Sequence, residues 1–357
     1  MEELDLNAYR KFNESCGRRM VCRIGVDCGL FVEMNYMVDA MLYCLAHRIK
    51  FQMYSDDANF GTGVGWSEYF MPFCEEAHEA FHRKFNFHRL PSWRRILKLC
   101  RAQRSLGPVV WKIKKGVLTR IGRLVALATY GERVLFAQDV RVDRSQRICV
   151  PELGIDDDYM GAFAKVGRMV WQLSPYVQLH KEEYRQILSV PPVYSGVQIR
   201  GGDKITEAPL VDGKIIVGKS GLQNGGCLFV LTDDYRQFLK ARKEFPGLRL
   251  LTLCREDERG YYHKQFCEVE PSEKKDAIVR LIVSVDLLLS SSSFVGSITT
   301  GPSVFIMKLR LGDPNVQAAD CHKDELAATL QLPIDVRSMI SRRNVASLNR
   351  KKRDATM

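Results

Sequence analysis

Three short segments in the second half of the chain place charged or hydroxyl side chains and turn residues at the ends of apolar runs. They are Gln198-Ile-Arg-Gly-Gly-Asp-Lys-Ile-Thr-Glu207, Val230-Leu-Thr-Asp-Asp234 and Asp286-Leu-Leu-Leu-Ser-Ser-Ser-Ser-Phe294. In an open parallel sheet the carboxyl ends of the strands meet at one edge, and ligands bind there. The three segments therefore predict one shared binding site at the edge of a sheet.

The residue types in these segments suit a ligand that carries phosphate groups. Arg200 offers a planar guanidinium fork, and the Gly201-Gly202 turn lets backbone N–H groups approach a phosphate closely. In the third segment, hydroxyl groups stand where the sequence predicts a helix N-terminus, which is also an anion site. The hydroxyl groups are those of the serine run 290–293.

Each segment also has a plainer structural interpretation. Asp203 would brace the glycine turn, Thr232 and Asp233 would cap the helix that follows, and the serines would be ordinary N-caps. Taken singly, these interpretations are the stronger ones. The order and spacing of the three segments together favour a common site.

Two series of strands and helices are predicted to carry these segments. The first has strand 21–26, helix 33–48 with methionines at helical spacing, and a strand over 49–53, which together form a βαβ unit. The second has strands 194–200, 227–231, 248–253 and 287–290 and helices 234–244, 274–284 and 295–309. Pro191-Pro192 divides the 357 residues into domains 1–190 and 191–357. The predicted fold class is α/β, with two Rossmann-like domains facing a cleft.

Positive charge concentrates in one part of the chain. The formal net charge is +11, and residues 80–131 contain thirteen Lys and Arg but no Asp or Glu. Apolar residues, Trp93 and Trp111 among them, are interleaved with these charges, so the segment is predicted to be amphipathic and mainly helical. It either binds an anionic surface (membrane headgroups, nucleic acid or a phosphorylated acceptor) or is a solvated face whose Lys and Arg stems cover the core. The C-terminal tail is a second basic patch.

The composition and the N-terminal sequence indicate the cellular compartment. The longest apolar stretch, 277–293, is interrupted by Arg280 and Asp286, so no transmembrane helix is expected. The N-terminus lacks the basic and apolar regions of a secretory signal. The eleven cysteines include no Cys-x-x-Cys pair, which indicates reduced thiols. We therefore expect a cytoplasmic protein.

One further motif suggests metal chemistry. His78-Glu-Ala-Phe-His82 matches the H-E-x-x-H pattern of zinc hydrolases, in which two histidines on a helix bind zinc and Glu79 is the general base. His88 has the spacing of a third ligand, but Phe85 occupies the position where the extended motif needs a glycine. A solvated helix is the stronger interpretation, and no metal ligands are assigned.

The three phosphate-directed segments resemble the motifs of the α1,6-fucosyltransferases of the core-fucosylation and bacterial nodulation type. Those motifs read His-x-Arg-Arg-x-Asp-Lys…Glu, then Ala-Thr-Asp-Asp, then Asp-Phe-Leu-Val…Ser-Ser. Gly65-Trp66-Ser-Glu-Tyr-Phe70-Met-Pro72 also resembles the family's Gly-Trp-Glu…Phe-x-Pro, and the resemblance covers about residues 20–75 and 175–310. The chain differs in having Gln198 in place of the family's His and Gly201 in place of its second Arg.

The resemblance implies a GT-B-like fold and an inverting, metal-independent transfer from GDP-fucose, with the acceptor side N-terminal. It implies that Arg200 holds the β-phosphate, that Lys204 supports it and that Glu207 is the general base for the acceptor hydroxyl. Gln198 and Asp234 would lie near the guanine. The donor-binding residues implied or assigned are Gln198, Arg200, Gly201, Gly202, Asp203, Lys204, Asp233, Asp234, Ser292 and Ser293.

The leading hypothesis is a fucosyltransferase that uses GDP-fucose and a glycan acceptor, lipid-linked and phosphorylated glycans included. Its expected location is the cytoplasm, with peripheral contact to the inner face of the membrane through residues 80–131 as a further hypothesis. Another GDP-sugar is the closest alternative donor. The alternatives from other classes are a nucleic-acid-binding protein that uses residues 80–131 and a zinc hydrolase that uses His78, Glu79 and His82.

Overall fold

The computed structural model describes residues 4–25, 28–87, 91–202 and 210–354. Its strands are β1 (Arg18–Arg23), β2 (Ile49–Tyr54), β3 (Leu135–Phe136), β4 (Ile148–Val150), β5 (Ile155–Asp157), β6 (Ser195–Ile199), β7 (Cys227–Thr232), β8 (Arg249–Leu251), β9 (Ser293–Gly296) and β10 (Val316–Ala318). Its helices are α1 (Leu6–Ser15), α2 (Leu30–His47), α3 (Phe81–Lys84), α4 (Trp93–Gln103), α5 (Gly107–Tyr130), α6 (Tyr159–Val170), α7 (Pro175–Ile187), α8 (Gly213–Lys219), α9 (Tyr235–Glu244), α10 (His263–Glu268), α11 (Pro271–Ser290), α12 (Gly301–Leu309), α13 (Leu326–Leu330) and α14 (Ile334–Asp354).

The first sheet has the order β2–β1–β3 and is parallel throughout. Helix α2 connects β1 to β2, and its methionines at helical spacing are buried in the core, as predicted. The βαβ unit is therefore confirmed. Strand β1 begins earlier than the apolar run suggested, because Arg18 and Arg19 already pair with Ile49 and Lys50 of β2.

The second sheet has the order β10–β9–β6–β7–β8, and its strands are also parallel. From the central strand β6 the chain first builds β7 and β8 on one side and then returns to build β9 and β10 on the other. The strand order thus reverses between β6 and β9. Open α/β sheets leave a crevice at such a reversal, beyond the carboxyl ends of the two strands.

One predicted strand is wrong. Residues 287–290, expected to be a strand, form the last turn of α11; the strand is β9, and α12 begins at Gly301 rather than at 295. The side chains of Val283, Val285, Leu287 and Leu288 are all buried. An apolar run buried on every side has no period that separates a strand from a core helix, which explains the error.

Side chains from both parts of the chain share one core. The rings of Phe31 in α2, Trp171 and Phe305 in α12 form a mutual contact, with centroids 5.4–5.8 Å apart. Trp171 also donates a 2.9 Å hydrogen bond from its indole nitrogen to Asp286 in α11. The structure confirms the α/β class with two parallel sheets, while the division at residue 190 stays a prediction.

Helices α4 and α5 form a hairpin that contains most of the basic segment. Ser92 caps α4, Pro108 lies in the first turn of α5, and Gly131 ends α5 with a φ of +67°. Within the part of the chain that the structure describes, no helix is long and apolar enough to cross a membrane.

Candidate active site

A pocket of about 450 Å³ lies between the two parts of the chain that contain the parallel sheets. The N-terminal part contributes the first turn of α2 together with Asn59 and Phe60. The C-terminal part contributes residues at the carboxyl ends of β6 and β7, the 258–269 segment, α11 and the start of α12. The predicted cleft is therefore present, and it includes the crevice between β6 and β9.

Asp233 fixes Arg200 at the carboxyl end of β6. Nη1 of Arg200 lies 2.8 Å from Oδ2 of Asp233, and both side chains are about four-fifths buried, with 19% and 18% of their surface exposed. The same carboxylate accepts hydrogen bonds from the backbone N–H groups of Gly201 (2.7 Å) and Tyr261 (2.8 Å). The guanidinium also lies over the Tyr261 ring, 5.4 Å from its centroid. Arg200 is thus a cation whose orientation is set before any ligand binds.

The glycine turn after Arg200 brings two chain segments into contact. Gly202 (φ +66°) and Gly260 (φ +107°) lie backbone to backbone, and a Cβ on either would collide with the other segment. Because the Gly201 N–H group donates to Asp233, that amide is used within the protein. The turn therefore serves mainly to bring Tyr261 and Asp233 against Arg200.

Gln198 spans the crevice. Its side-chain oxygen accepts hydrogen bonds from Thr300 Oγ1 at 2.7 Å, from the backbone N–H of Ser303 at 3.0 Å and from the Ser303 hydroxyl. Thr300 and Ser303 belong to the N-terminal turn of α12. Gln198 thus ties β6 to α12 and places the start of this helix beside Arg200.

Asp234 has a local structural role. Its carboxylate accepts from the Arg236 backbone N–H at 3.0 Å, which makes it the N-cap of α9, and it pairs with the Arg236 guanidinium at 2.7 Å. The hydrogen bond from Arg236 lowers the pKa of Asp234 below its usual value. Asp233 lines the pocket and Asp234 does not, so of these two neighbours Asp234 is the helix cap.

Ser292 and Ser293 lie at the opposite edge of the sheet from Arg200. Ser293 is the first residue of β9 and pairs with Ser195, the first residue of β6; their hydroxyl oxygens are 2.7 Å apart. The Ser292 hydroxyl donates to the Tyr194 carbonyl at 2.7 Å. The predicted placement of these serines at a helix N-terminus is wrong because a strand, rather than a helix, follows them. On the β6 side of the pocket a helix N-terminus is instead supplied by α12, where Thr300 and Gly301 line the wall.

Three predicted residues, Asp203, Lys204 and Glu207, lie outside the described residues. Among the described lining residues the carboxylates are those of Asp233 and Glu258. Each contacts an arginine: Asp233 pairs with Arg200, and Glu258 lies 2.7 Å from Nη1 of Arg280. Both acidic groups of the described lining are therefore committed to ion pairs.

Sequence reasoning missed several residues that build the pocket. They are Glu258, Tyr261, His263, Arg280 and Thr300. Two of them left a signal. Arg280 is a cation inside a long apolar run, and Gly301-Pro302 is a typical helix start that places Thr300 at the N-cap. Tyr261 and His263, whose hydroxyl and Nδ1 are 2.9 Å apart, lie in a segment without any motif.

The H-E-x-x-H residues form a separate cluster that does not line the pocket. Helix α3 begins only at Phe81, so the predicted helical face does not exist. His82 is buried: its Nδ1 accepts from Arg23 Nε at 2.9 Å, and its Nε2 lies 2.7 Å from the Tyr130 hydroxyl, which donates to Glu79. Burial, with Arg23 adding to its effect, lowers the pKa of His82 to about 3.

The other histidine of the pattern has a different partner. His78 is exposed and lies 2.8 Å from Asp56. His88 is outside the described residues. Within the ranges that the structure describes, no three His, Cys, Asp or Glu side chains converge as metal ligands. The pattern therefore does not form a two-histidine zinc face.

Comparisons with known proteins find solved fucosyltransferases that the chain resembles in overall fold. No model of a protein family matches the sequence, and no curated protein matches it. The chain is similar in structure to fucosyltransferase NodZ from Bradyrhizobium, with 11% identity, a TM-score of 0.46, and coverage of 84% of this chain and 96% of that one. It is also similar to an arginine-to-lysine mutant of Arabidopsis thaliana FUT1 in complex with GDP, with 13% identity, a TM-score of 0.46, and coverage of 85% and 73%. POFUT1 in complex with GDP gives 11% identity, a TM-score of 0.45, and coverage of 85% and 99%.

Proposed function

We propose that the chain is a glycosyltransferase with a GT-B-like fold that transfers fucose from GDP-fucose to a glycan acceptor, with inversion and without a metal. The observation that carries the proposal is the position of Arg200. Asp233 holds this cation at the crevice between β6 and β9, in a pocket walled by both parts of the chain. Open α/β sheets bind nucleotides at such a crevice. The resemblance of the segments around Arg200 and Asp233 to fucosyltransferase motifs supports GDP-fucose as the nucleotide sugar.

In this proposal the diphosphate of the donor lies between Arg200 and the N-terminus of α12. The helix dipole favours negative charge there, and Thr300 and Gly301 line the pocket at that point. Lys204 adds a second cation. Gln198 lines the pocket and holds the α12 N-terminus in place rather than contacting the guanine, because its side-chain oxygen already accepts from Thr300 and Ser303. Asp234 is left to α9, because its carboxylate is already bonded to Arg236.

The reaction follows from where negative charge develops. The acceptor hydroxyl oxygen attacks the anomeric carbon in line with the bond to the β-phosphate oxygen; that bond breaks, and its electron pair leaves with GDP. Glu207 takes the hydroxyl proton. Arg200 stabilises the charge on the leaving GDP without reorienting, because its position is set in advance.

The residues around Arg200 support a transfer without a metal. Divalent cations such as Mg²⁺ need carboxylate oxygens among their ligands. Both oxygens of Asp233 already accept from Arg200 or from backbone N–H groups, so a cation there would have to displace Arg200. In this site a guanidinium and a helix N-terminus take the place that a metal ion has in other transferases.

A thermal-shift screen with GDP, UDP and CMP tests the proposed donor site. We expect GDP to raise the melting temperature more than UDP or CMP, and EDTA to leave the shift unchanged. Loss of the shift on chelation, or an equal response to all three nucleotides, would reject the proposed site. Adding GDP-fucose and GDP-mannose to the same screen separates fucose from the closest alternative donor.

The proposal also covers the acceptor side of the pocket. We propose a glycan acceptor that approaches from the N-terminal wall, where Leu30, Phe31 and Asn59 line the pocket. Lipid-linked or phosphorylated glycans, met in the cytoplasm, fit the basic character of this half. A panel of such acceptors in a GDP-release assay tests this part separately, since GDP binding does not depend on it.

A further inference from the structure

We propose that the hairpin of α4 and α5 is a docking surface for an anionic lipid bilayer, on which α5 lies flat. The inference does not rest on the proposed transferase function. It rests on an apolar stripe that the fold leaves exposed and on the cations that border it.

The stripe runs along almost the whole of α5. Its members are spaced by three or four residues, which places them on one face of the helix over roughly 27 Å at 1.5 Å per residue. Each exposes between 43% and 73% of its surface. The six residues are Leu106, Val110, Ile113, Val117, Ile121 and Leu124. An amphipathic helix normally turns such a face to the core, and this one turns it to solvent.

The opposite face of α5 holds the helix to the rest of the protein. Gly122 and Ala126 are buried, and a Cβ on Gly122 would press against the Phe85 ring. Lys115 covers the Phe87 ring from 4.6 Å. Because the inner face is already packed, rotation of α5 cannot bury the stripe without giving up these contacts.

Cations border the stripe and continue onto α4. By helical spacing, Lys114 and Arg120 flank the stripe on either side. Helix α4 adds exposed Trp93 and Leu97 and four basic side chains: Arg94, Arg95, Lys98 and Arg101. Among the described residues, none of these six cations forms an ion pair with a carboxylate. A partner that supplies anionic groups beside an apolar layer matches both features, and a bilayer containing anionic lipids has that chemistry.

Other occupants match only one feature. A second copy of the hairpin would cover the stripe but would bring two surfaces of the same charge together, since residues 80–131 contain no Asp or Glu. A nucleic acid would satisfy the cations but would leave the apolar stripe in water. Because no described helix can cross a membrane, the surface fits a helix that lies in the interface.

Co-sedimentation of the full chain with phosphatidylcholine vesicles, with and without phosphatidylserine, tests the proposal. We expect binding only to vesicles that contain phosphatidylserine, and less binding as salt is raised. Replacing Arg94, Arg95, Lys98 and Arg101 together by Glu should lower the partition coefficient by at least about tenfold, because each basic residue near such a surface contributes about a fivefold factor.

The apolar stripe needs its own variant and a matched control. Val117→Asn with Ile121→Asn should lower binding by about tenfold, since their side chains would enter the acyl boundary. Leu179→Asn with Ile187→Asn removes two apolar side chains from α7 that are even more exposed, 60% and 74%, and should leave binding unchanged. The melting temperature without ligand, measured on every variant, shows whether the fold is intact.

Three results would overturn the proposal. The first is equal binding, or none, to neutral and anionic vesicles. The second is a stripe variant that binds as well as the unaltered chain. The third is a dimer in light scattering that the stripe variant abolishes, or RNA binding without vesicle binding, either of which would assign the hairpin to another occupant.

Discussion

The pocket and the hairpin use cations in opposite ways. In the described pocket lining the arginines are buried and held by carboxylates: Arg200 by Asp233 and Arg280 by Glu258. On the hairpin the cations of α4 are exposed and, among the described residues, have no acidic partner. A cation that stabilises a transition state has to hold a fixed position. Cations that contact a fluid anionic surface only have to be numerous and to extend to that surface. The two proposals therefore assign the same residue types to two kinds of recognition. The difference is whether a carboxylate of the protein holds the cation in place.

The largest expected effect concerns the proposed general base, Glu207, which is not one of these cations. Glu207→Gln should lower turnover by about 10²–10⁴-fold, because it keeps the shape of the side chain but cannot take a proton. The dissociation constant for GDP should change by less than about twofold. A GDP-release assay with an active acceptor and calorimetric titration of GDP measure the two quantities. Near-normal turnover would move the base to another group, and His263 of the described lining would be the next to replace.

Lys308 of α12 extends the comparison, because it is a buried cation whose charge the surrounding groups do not fully compensate. Burial lowers the pKa of Lys308 to about 7, with Asp39 opposing this effect and Arg144 and Arg337 adding to it. Lys308 contacts the Tyr159 hydroxyl at 3.1 Å. Because its folded-state pKa lies below that of the unfolded chain, the unfolded chain binds more protons between about pH 7 and 10, and the free energy of unfolding rises with pH there.

Lys308→Met should therefore stabilise the fold at pH 7, on the order of 3 kcal/mol, with a gain that shrinks by roughly 1 kcal/mol per pH unit towards pH 9. Urea unfolding at several pH values measures both. Lys323→Met, at an exposed position, is the control and should give no such trend. A gain independent of pH would mean that Lys308 keeps its charge in the folded state up to pH 9, so that its pKa is not lowered.

A smaller effect tests whether a carboxylate must hold the pocket arginine. Asp233→Asn keeps hydrogen-bond acceptance at one atom but removes the charge that orients Arg200, and we expect GDP binding to weaken by about tenfold. Asp257→Asn, at an exposed site next to the pocket segment, is the matched control. If Asp233→Asn tightened GDP binding, the ion pair would be competing with the phosphate instead of positioning Arg200.

Elements whose apolar residues have a clear period, or whose ends are marked by charged or turn residues, could be predicted from the sequence. The methionine stripe of α2 has the 3.6-residue period of a helix, so α2 lies close to its expected range of 33–48. Strands β6 and β7 were expected within one or two residues of their bounds, because each is a short apolar run that ends at a charged or turn residue. The ion pair that joins their ends, Arg200 with Asp233, follows from the parallel register.

The remaining parts of the site depend on information that is not local in the chain. The serine run was assigned to the wrong edge because its position depends on where the buried helix α11 ends, and an apolar run does not mark that point. Tyr261 and Glu258 reach the pocket because Gly202 and Gly260 contact each other, a contact between segments nearly sixty residues apart. The exposure of the α5 stripe was also unpredictable, since an amphipathic pattern does not say which face is covered.

The measurement that tests the central claim most directly compares GMP and GDP by calorimetric titration in the unaltered chain, Arg200→Ala and Arg242→Ala. If Arg200 holds the β-phosphate, GDP should bind the unaltered chain about 10–100-fold more tightly than GMP, as a charge-assisted hydrogen bond allows. Arg200→Ala should bring the two affinities within about twofold, while Arg242→Ala, which removes an exposed arginine from α9, should keep the difference. A preference for GDP that survives in Arg200→Ala would contradict the account.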